Sequence, residues 1–282
     1  MSANDTSQPF AEGKDRFGFG RNWEAFSARI DSTVFDTAQT SIRKMLEVEN
    51  LSGKRVLDIG CGSGLFSLAA RELGAAVVSF DYDPTSVSTT RALQERYRPG
   101  DTGWIIEQGS VLDRRYLEHL GQFDVVYSWG VLHHTGAMWT AIENAASHVK
   151  PGGRFFVAIY NDQGRASTRW LKIKKLYNAL PGPLRWLVLI PAAIRLRGPM
   201  LVRGLLHGNP FKPFREYGRE RGMSHWHDVV DWVGGLPFEV ATPEEIFRFL
   251  RERGFKLDAL KTCGGGRGCN EFVATLEAPR RN

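Results

Sequence analysis

VLDIGCGSG, residues 56–64, reads as a short apolar strand entering a turn with glycine at every second position. The amphipathic run LFSLAARELG (65–74) follows at once and ends at Gly74. Gly60, Gly62 and Gly64 let the backbone bend sharply and leave no Cβ between main chain and a bound molecule. The helix that opens there points its free N–H groups back at the turn. Dinucleotide-binding folds use the same device as G-x-G-x-x-G. Here the third glycine comes one residue early, and an acid, Asp58, stands in the strand just before the bend.

Outward from this point the chain alternates between strand and helix patterns. AVVSFD (76–81) predicts a strand, PTSVSTTRALQERY (84–97) a helix, WIIEQG (104–109) a strand and FDVVYSW (123–129) another. AMWTAIENAASHV (137–149) predicts a helix, PGG (151–153) a turn and GRFFVAIY (153–160) a strand. Such alternation implies a parallel sheet covered by helices on both faces. The fourth strand ends in WGVLHH (129–134), a rim that no dinucleotide fold requires.

The rhythm breaks at Asn161 and resumes at Thr242. Thr242 as N-cap, Pro243 at N1 and Glu245 at N3 form a capping box for a helix running to about Arg253. FKLDALKT (255–262) and NEFVATLE (270–277), joined by CGGGRGC, must pair antiparallel. The expected architecture is therefore α/β and Rossmann-like, parallel with an antiparallel C-terminal hairpin. A helical cap is inserted between the fifth strand and the last helix. Residues 1–15 read as a disordered tail and 16–50 as a helical cover, with helical spacing over 21–47. Residues 51–162 and 242–282 form the core, and 163–241 the basic cap.

Composition is that of a globular chain, 42% hydrophobic and 24% charged. The opening MSANDTSQP lacks the apolar run of a secretory signal. Cys61, Cys263 and Cys269 are too few for a disulfide framework, and no ligand spacing suggests a metal. A reduced, cytoplasmic protein is expected. The net charge of +6 is uneven: residues 165–215 hold eleven Lys or Arg and no acid, so the rest of the chain stands at −5.

Residues 50–160, with 242–277, resemble the class I S-adenosylmethionine (SAM)-dependent methyltransferase family. Within it, the small-molecule branch that includes the ubiquinone-biosynthesis O-methyltransferases is most similar. The resemblance implies SAM as cofactor and S-adenosylhomocysteine (SAH) as product. It carries Gly60, Cys61 and Gly62 to the methionine part of SAM and Asp58 to its amino group. It carries Asp81 to the ribose hydroxyls, Tyr82 to the adenine face, Ser110 and Val111 to the adenine edge, and Trp129 with Gly130 to the methionine side. More ordinary uses compete: Asp81 as a turn acid, Asp83 as the N-cap of the next helix, Cys61, Val131 and Leu132 as packing.

Methyl transfer from a sulfonium needs an aligned nucleophile and, for a hydroxyl, a base. His133 and His134 lie where open α/β sheets place ligands, and histidine titrates near neutrality. A second candidate is His227, which faces Asp231 at i and i+4 if SHWHDVVDW (224–232) is helical. Tyr160 and Asn161 are expected to line the acceptor pocket, and Glu239 is a weaker candidate. The motif that grips a nucleobase amino group, Asn/Asp-Pro-Pro-aromatic, is replaced by SWGVLHH, and no cysteine near the fourth strand suits cytosine C5 chemistry. The expected reaction is O-methylation of a small molecule, a sugar or a lipid-linked intermediate. An RNA-modifying enzyme and a non-catalytic SAM-binding regulatory or scaffold protein are the alternatives. For the basic segment three readings stand open: a lid, a lid that also touches anionic membrane through 165–215 at its inner face, or a nucleic-acid grip, the least favoured. Pro181, Pro183, Pro191 and Pro199 are expected to break it into short helices.

Overall fold

Where short continuous apolar runs alternate with helices, both faces of the strands are buried by a covered parallel sheet. The computed structural model describes residues 18, 20–27, 32–209 and 225–278; the proposed tail at 1–15 lies outside them. Two helices, α1 (Gly20–Ser27) and α2 (Ser32–Leu46), precede the sheet, where a single helical stretch was expected. Then follow β1 (Arg55–Ile59), α3 (Leu65–Glu72), β2 (Ala76–Asp81), α4 (Pro84–Tyr97) and β3 (Trp104–Gln108). They continue as α5 (Arg114–Glu118), β4 (Phe123–Trp129), a 3₁₀ turn (Leu132–His134), α6 (Met138–Ser147) and β5 (Val149–Tyr160).

Among the described residues seven strands form one sheet, in the order β3-β2-β1-β4-β5-β7-β6. β6 (Phe255–Lys261) and β7 (Cys269–Leu276) make the antiparallel hairpin, and β7 runs antiparallel to β5 as well. The strand order reverses between β1 and β4, the switch point where such sheets hold ligands. One apolar layer joins Leu57, Phe80, Phe123, Val126 and Phe155 to α6 and to α10 (Pro243–Glu252). The other joins Val56, Val77, Trp104 and Phe156 to α2, α3 and α4. Each such side chain contributes roughly 1.5–3 kcal/mol on burial.

Local chemistry sets the helix ends. Asp83 caps α4 by accepting from the Thr85 N–H, and Pro84 follows at N1. The α10 capping box is complete: Thr242 accepts from Glu245 N at 3.2 Å, and Glu245 accepts from Thr242 N at 2.8 Å. The PGG turn is corrected. Residues 151–153 lie within β5, where the chain bends at Gly152 (φ +77°) and the extra residues form a bulge opposite Phe123–Val125. Helix α5 was not legible in the pattern.

The interval after β5 holds α7 (Arg165–Ala179), a 3₁₀ turn at Gly182–Leu184, α8 (Trp186–Leu206) and α9 (His225–Gly234). Here too the expectation is corrected, since Pro191 and Pro199 lie inside one 21-residue helix. Proline costs a hydrogen bond to the carbonyl four residues earlier. Those carbonyls belong to Leu187 and Arg195, on the exposed side of α8, where water can replace the partner. Tyr177, Leu189, Ala192, Val229 and Val233 form a small separate core between α7, α8 and α9, with Trp170 and Trp232 packed on it.

Candidate functional site

The glycine bend is bolted to the end of the neighbouring strand. Gly60 N and Cys61 N both donate to the Phe80 carbonyl, at 2.8 and 3.1 Å. Gly60 has φ +77°, and a Cβ there would meet Val131 at 2.4 Å. Gly62 has φ +54°, and a Cβ would meet the ring of Trp23, which α1 lays over the bend, at 3.0 Å. Asp81 spans the two turns: one carboxylate oxygen accepts from Gly62 N (3.0 Å), the other from Asp83 N (2.9 Å).

Asp58 is buried beneath the bend. It accepts a short hydrogen bond from Ser67, whose Oγ lies 2.7 Å from that of Ser79, which in turn accepts from Trp104 Nε1 at 2.8 Å. Indole N–H is only a donor, so the chain has one polarity: Trp104 to Ser79, Ser79 to Ser67, Ser67 to Asp58. Burial pushes the Asp58 carboxyl up to about 7, with the Ser67 bond opposing and the charge of Asp81 adding. Among the described residues no cation pairs with it. A positive charge brought close to it would favour the ionised carboxylate.

The remaining rim residues stand on neighbouring strand ends. Tyr82, 45% exposed, follows β2, and Trp129, 38% exposed, ends β4. Past β3, Ser110 accepts from Leu112 N, and the buried Val111 gives its carbonyl to Asn144. Cys61 is buried with the Thr90 hydroxyl donating to its sulfur, and burial pushes its thiol well up, so it packs as a thiol.

Past β4 the two histidines take opposite roles. His133 is fully buried, and its Nδ1 accepts from Tyr160 N at 3.3 Å. That bond places the ring proton on Nε2, which is buried without a hydrogen-bond partner among the described residues. Burial, helped by His134 and Lys174, holds His133 well below the ordinary histidine range and neutral. His134 donates from Nδ1 to the Pro237 carbonyl at 2.6 Å, leaving its lone pair on Nε2. Tyr160 lies 3.8 Å from the His133 ring, 5.2 Å from Trp232 and 5.6 Å from Phe238.

Two candidates, Asn161 and Glu239, are placed differently from the sequence reading, and a third, His227, is placed only by its helix. Asn161 is bound into a scaffold, donating to Gly266 O and accepting from Asn270, which ties the CGGGRGC loop to β5. Glu239 accepts from Met138 N with both oxygens at 3.1 Å, so it caps α6, where a carboxylate suits the helix N-terminus. His227 is on α9, but its side chain lies outside the described residues.

One residue escaped the pattern entirely. Lys174 of α7 is fully buried, donates to the Trp232 carbonyl and stands over the rings of Trp232 and Phe238 at 4.9 and 4.6 Å. Its signal was present, a lysine on the apolar helical face of Trp170, Ile173 and Tyr177. Among the described residues no group of three or more His, Cys, Asp or Glu is placed to hold a metal.

Residues 30–193, more than half of the chain, match the family model described as a methyltransferase domain. The ubiquinone biosynthesis O-methyltransferase of Methylobacterium sp. (strain 4-46) is 32% identical over 125 residues, 42% of this chain and 46% of that protein. Its namesake in Marinobacter nauticus is 37% identical over 114 residues, 40% and 46% of the two chains. The match thus spans just under half the length of these relatives. In fold, the chain is similar to magnesium protoporphyrin IX methyltransferase of Synechocystis PCC 6803 with bound SAH. The TM-score is 0.54 at 15% identity, over 90% of this chain and 93% of that one.

Proposed function

This chain belongs to the methyltransferase-domain family as a class I SAM-dependent methyltransferase, and on that premise we propose that it methylates an oxygen of a small, planar acceptor. Bound SAM supplies a methyl carbon already activated on sulfonium. Holding it falls to the strand-end rim: Gly60, Cys61 and Gly62 along the methionine, Asp58 at the ammonium and Asp81 at the ribose hydroxyls. Tyr82, Ser110 and Val111 border the adenine, and Trp129 closes the methionine side. Support for this comes from the buried, cation-less carboxyl of Asp58.

The observation that carries the choice of oxygen is His133 Nε2. A buried N–H without an acceptor costs about 1–3 kcal/mol, and an oxygen with a lone pair relieves it where a protonated amine does not. Tyr160 lies on the His133 ring, and Trp232 and Phe238 pack on Tyr160, an aromatic cluster that favours a flat acceptor. The test is conversion of SAM to SAH with catechol against benzylamine, an amine protonated at neutral pH. Turnover with catechol alone is expected; turnover with the amine alone, or with neither, contradicts the reading.

A second reading concerns where the acceptor is met. Leu187, Ile190, Ile194, Leu201 and Leu205 run along one side of α8 and are all exposed, Ile194 by 67%, with Leu206 at 80%. Arg195 stands on the flank of this stripe and is itself exposed. No helix among the described residues is long and apolar enough to cross a membrane. An apolar stripe flanked by arginine suits the surface of an anionic bilayer, and an acceptor carried on a lipid. Sedimentation with phosphatidylglycerol vesicles tests it. Binding lost in Ile194→Asp/Leu205→Asp is expected, and no binding by the unaltered protein at low salt contradicts it.

A further inference from the structure

The insertion delivers a primary amine to the same ring cluster that holds the β4 histidine. Lys174 Nζ stands over Trp232 and Phe238; both rings pack on Tyr160, and Tyr160 lies on His133. An ammonium taken from water into such surroundings is costly, whereas methionine would fill the space without that cost. A clamp between α7 and α9 explains the bond to the Trp232 carbonyl, but glutamine could donate that bond equally well.

His133 cannot take a proton at Nε2, because one is already there. The amine can. Burial pushes Lys174 down to about 7, while Asp231 on α9 pulls the other way. The other titratable groups facing the cluster are His133 and His134 beyond β4 and Tyr160 at the end of β5. Near neutral pH a neutral amine is therefore well populated, with one N–H committed to the Trp232 carbonyl.

We propose that Lys174 is a catalytic base that takes the proton of the acceptor hydroxyl as the oxygen is methylated. The inference rests on the O-methylation reading above. As the acceptor oxygen bonds to the methyl carbon, the carbon–sulfur bond breaks and its electron pair stays on sulfur. The acceptor O–H bond breaks, and the proton goes to Nζ, giving ammonium. The Trp232 carbonyl and two ring faces then stabilise that charge. His133 Nε2–H holds the same oxygen in place.

Lys174→Gln tests this, with catechol and 4-nitrocatechol as paired probes at about pH 8, where only the nitro compound has an ionised hydroxyl. The variant is expected to lose about a hundredfold or more with catechol but less than about tenfold with 4-nitrocatechol. In the unaltered protein, kcat for catechol rises with pH through neutrality; in the variant that inflection is gone. Independently of turnover, ¹³Cε-lysine NMR should show one resonance, missing in Lys174→Gln, that titrates near neutrality. Unchanged SAH-binding heat confirms that the variant is folded. Equal losses on both probes, or a Lys174 resonance titrating with the surface lysines, overturn the proposal. So does the same probe-dependent loss in His134→Gln with Lys174→Gln unaffected. If the unaltered protein methylates neither probe, the O-methylation reading fails and this one falls with it.

Discussion

The strand-end rim and the insertion solve opposite problems with the same residue types. On the rim, Asp58 is a buried acid without a cation among the described residues, and its hydroxyl chain runs from Ser67 on α3 to Ser79 on β2. In the insertion, Lys174 is a buried base among aromatic rings, held by α7 and α9, which have only a small core of their own. Each is an ionisable group placed where its charge is penalised. In the reading proposed above, the rim's group meets the cofactor and the insertion's group meets the acceptor. The two differ in what places them, a sheet edge for one and a light helical cover for the other.

The largest separation between the two regions is expected from Gly60→Val. Positive φ and a 2.4 Å approach to Val131 make any side chain there untenable. SAH binding should fall by about a hundredfold or more by calorimetry. An insertion change of equal size, such as Leu189→Ala, should leave that binding within about threefold.

Next comes Lys174→Met. In the folded protein Lys174 titrates near 7, against 10.5 for an ordinary lysine. Between those values the unfolded chain binds the proton and the folded one does not, so stability rises with pH across that window. Removing the amine should raise the thermal midpoint at pH 7 and flatten its rise toward pH 10, while abolishing turnover of catechol. A midpoint that drops at pH 7 would instead make Lys174 a structural clamp.

A smaller effect is expected from Pro191→Ala in α8. It restores an N–H to the Leu187 carbonyl on an exposed face, and the folded insertion should gain up to about 1–3 kcal/mol of local stability, read by hydrogen exchange. Protection of β1 and β4 amides should not change.

The same contrast decides what could be read from the chain. β2, α4 and β4 run as the periodicity gave them, and Thr242, Pro243 and Glu245 cap α10 as their spacing required. These are local rules, satisfied within a few residues. Where the outcome depends on a distant partner, local rules mislead. Gly152 reads as a turn but serves a bulge against β4. Pro191 reads as a break, but the solvent side of α8 tolerates it. Asn161 reads as a pocket residue but is consumed by Asn270, 109 positions away. Lys174 shows in the sequence as a lysine on an apolar helix face, but its ring partners Trp232 and Phe238 arrive from beyond residue 225.

The central claim is that the rim binds the adenosyl ligand with its ammonium on Asp58. The most direct test is calorimetric titration with SAH between about pH 6 and 8. The carboxyl of Asp58, raised to about 7, must ionise to meet the ammonium, so affinity should tighten as pH rises through that value. In Asp58→Asn binding should be weak and flat with pH, and in Asp81→Ala weak but still pH-dependent. Absence of saturable heat, or SAH binding that ignores both changes, would contradict the account.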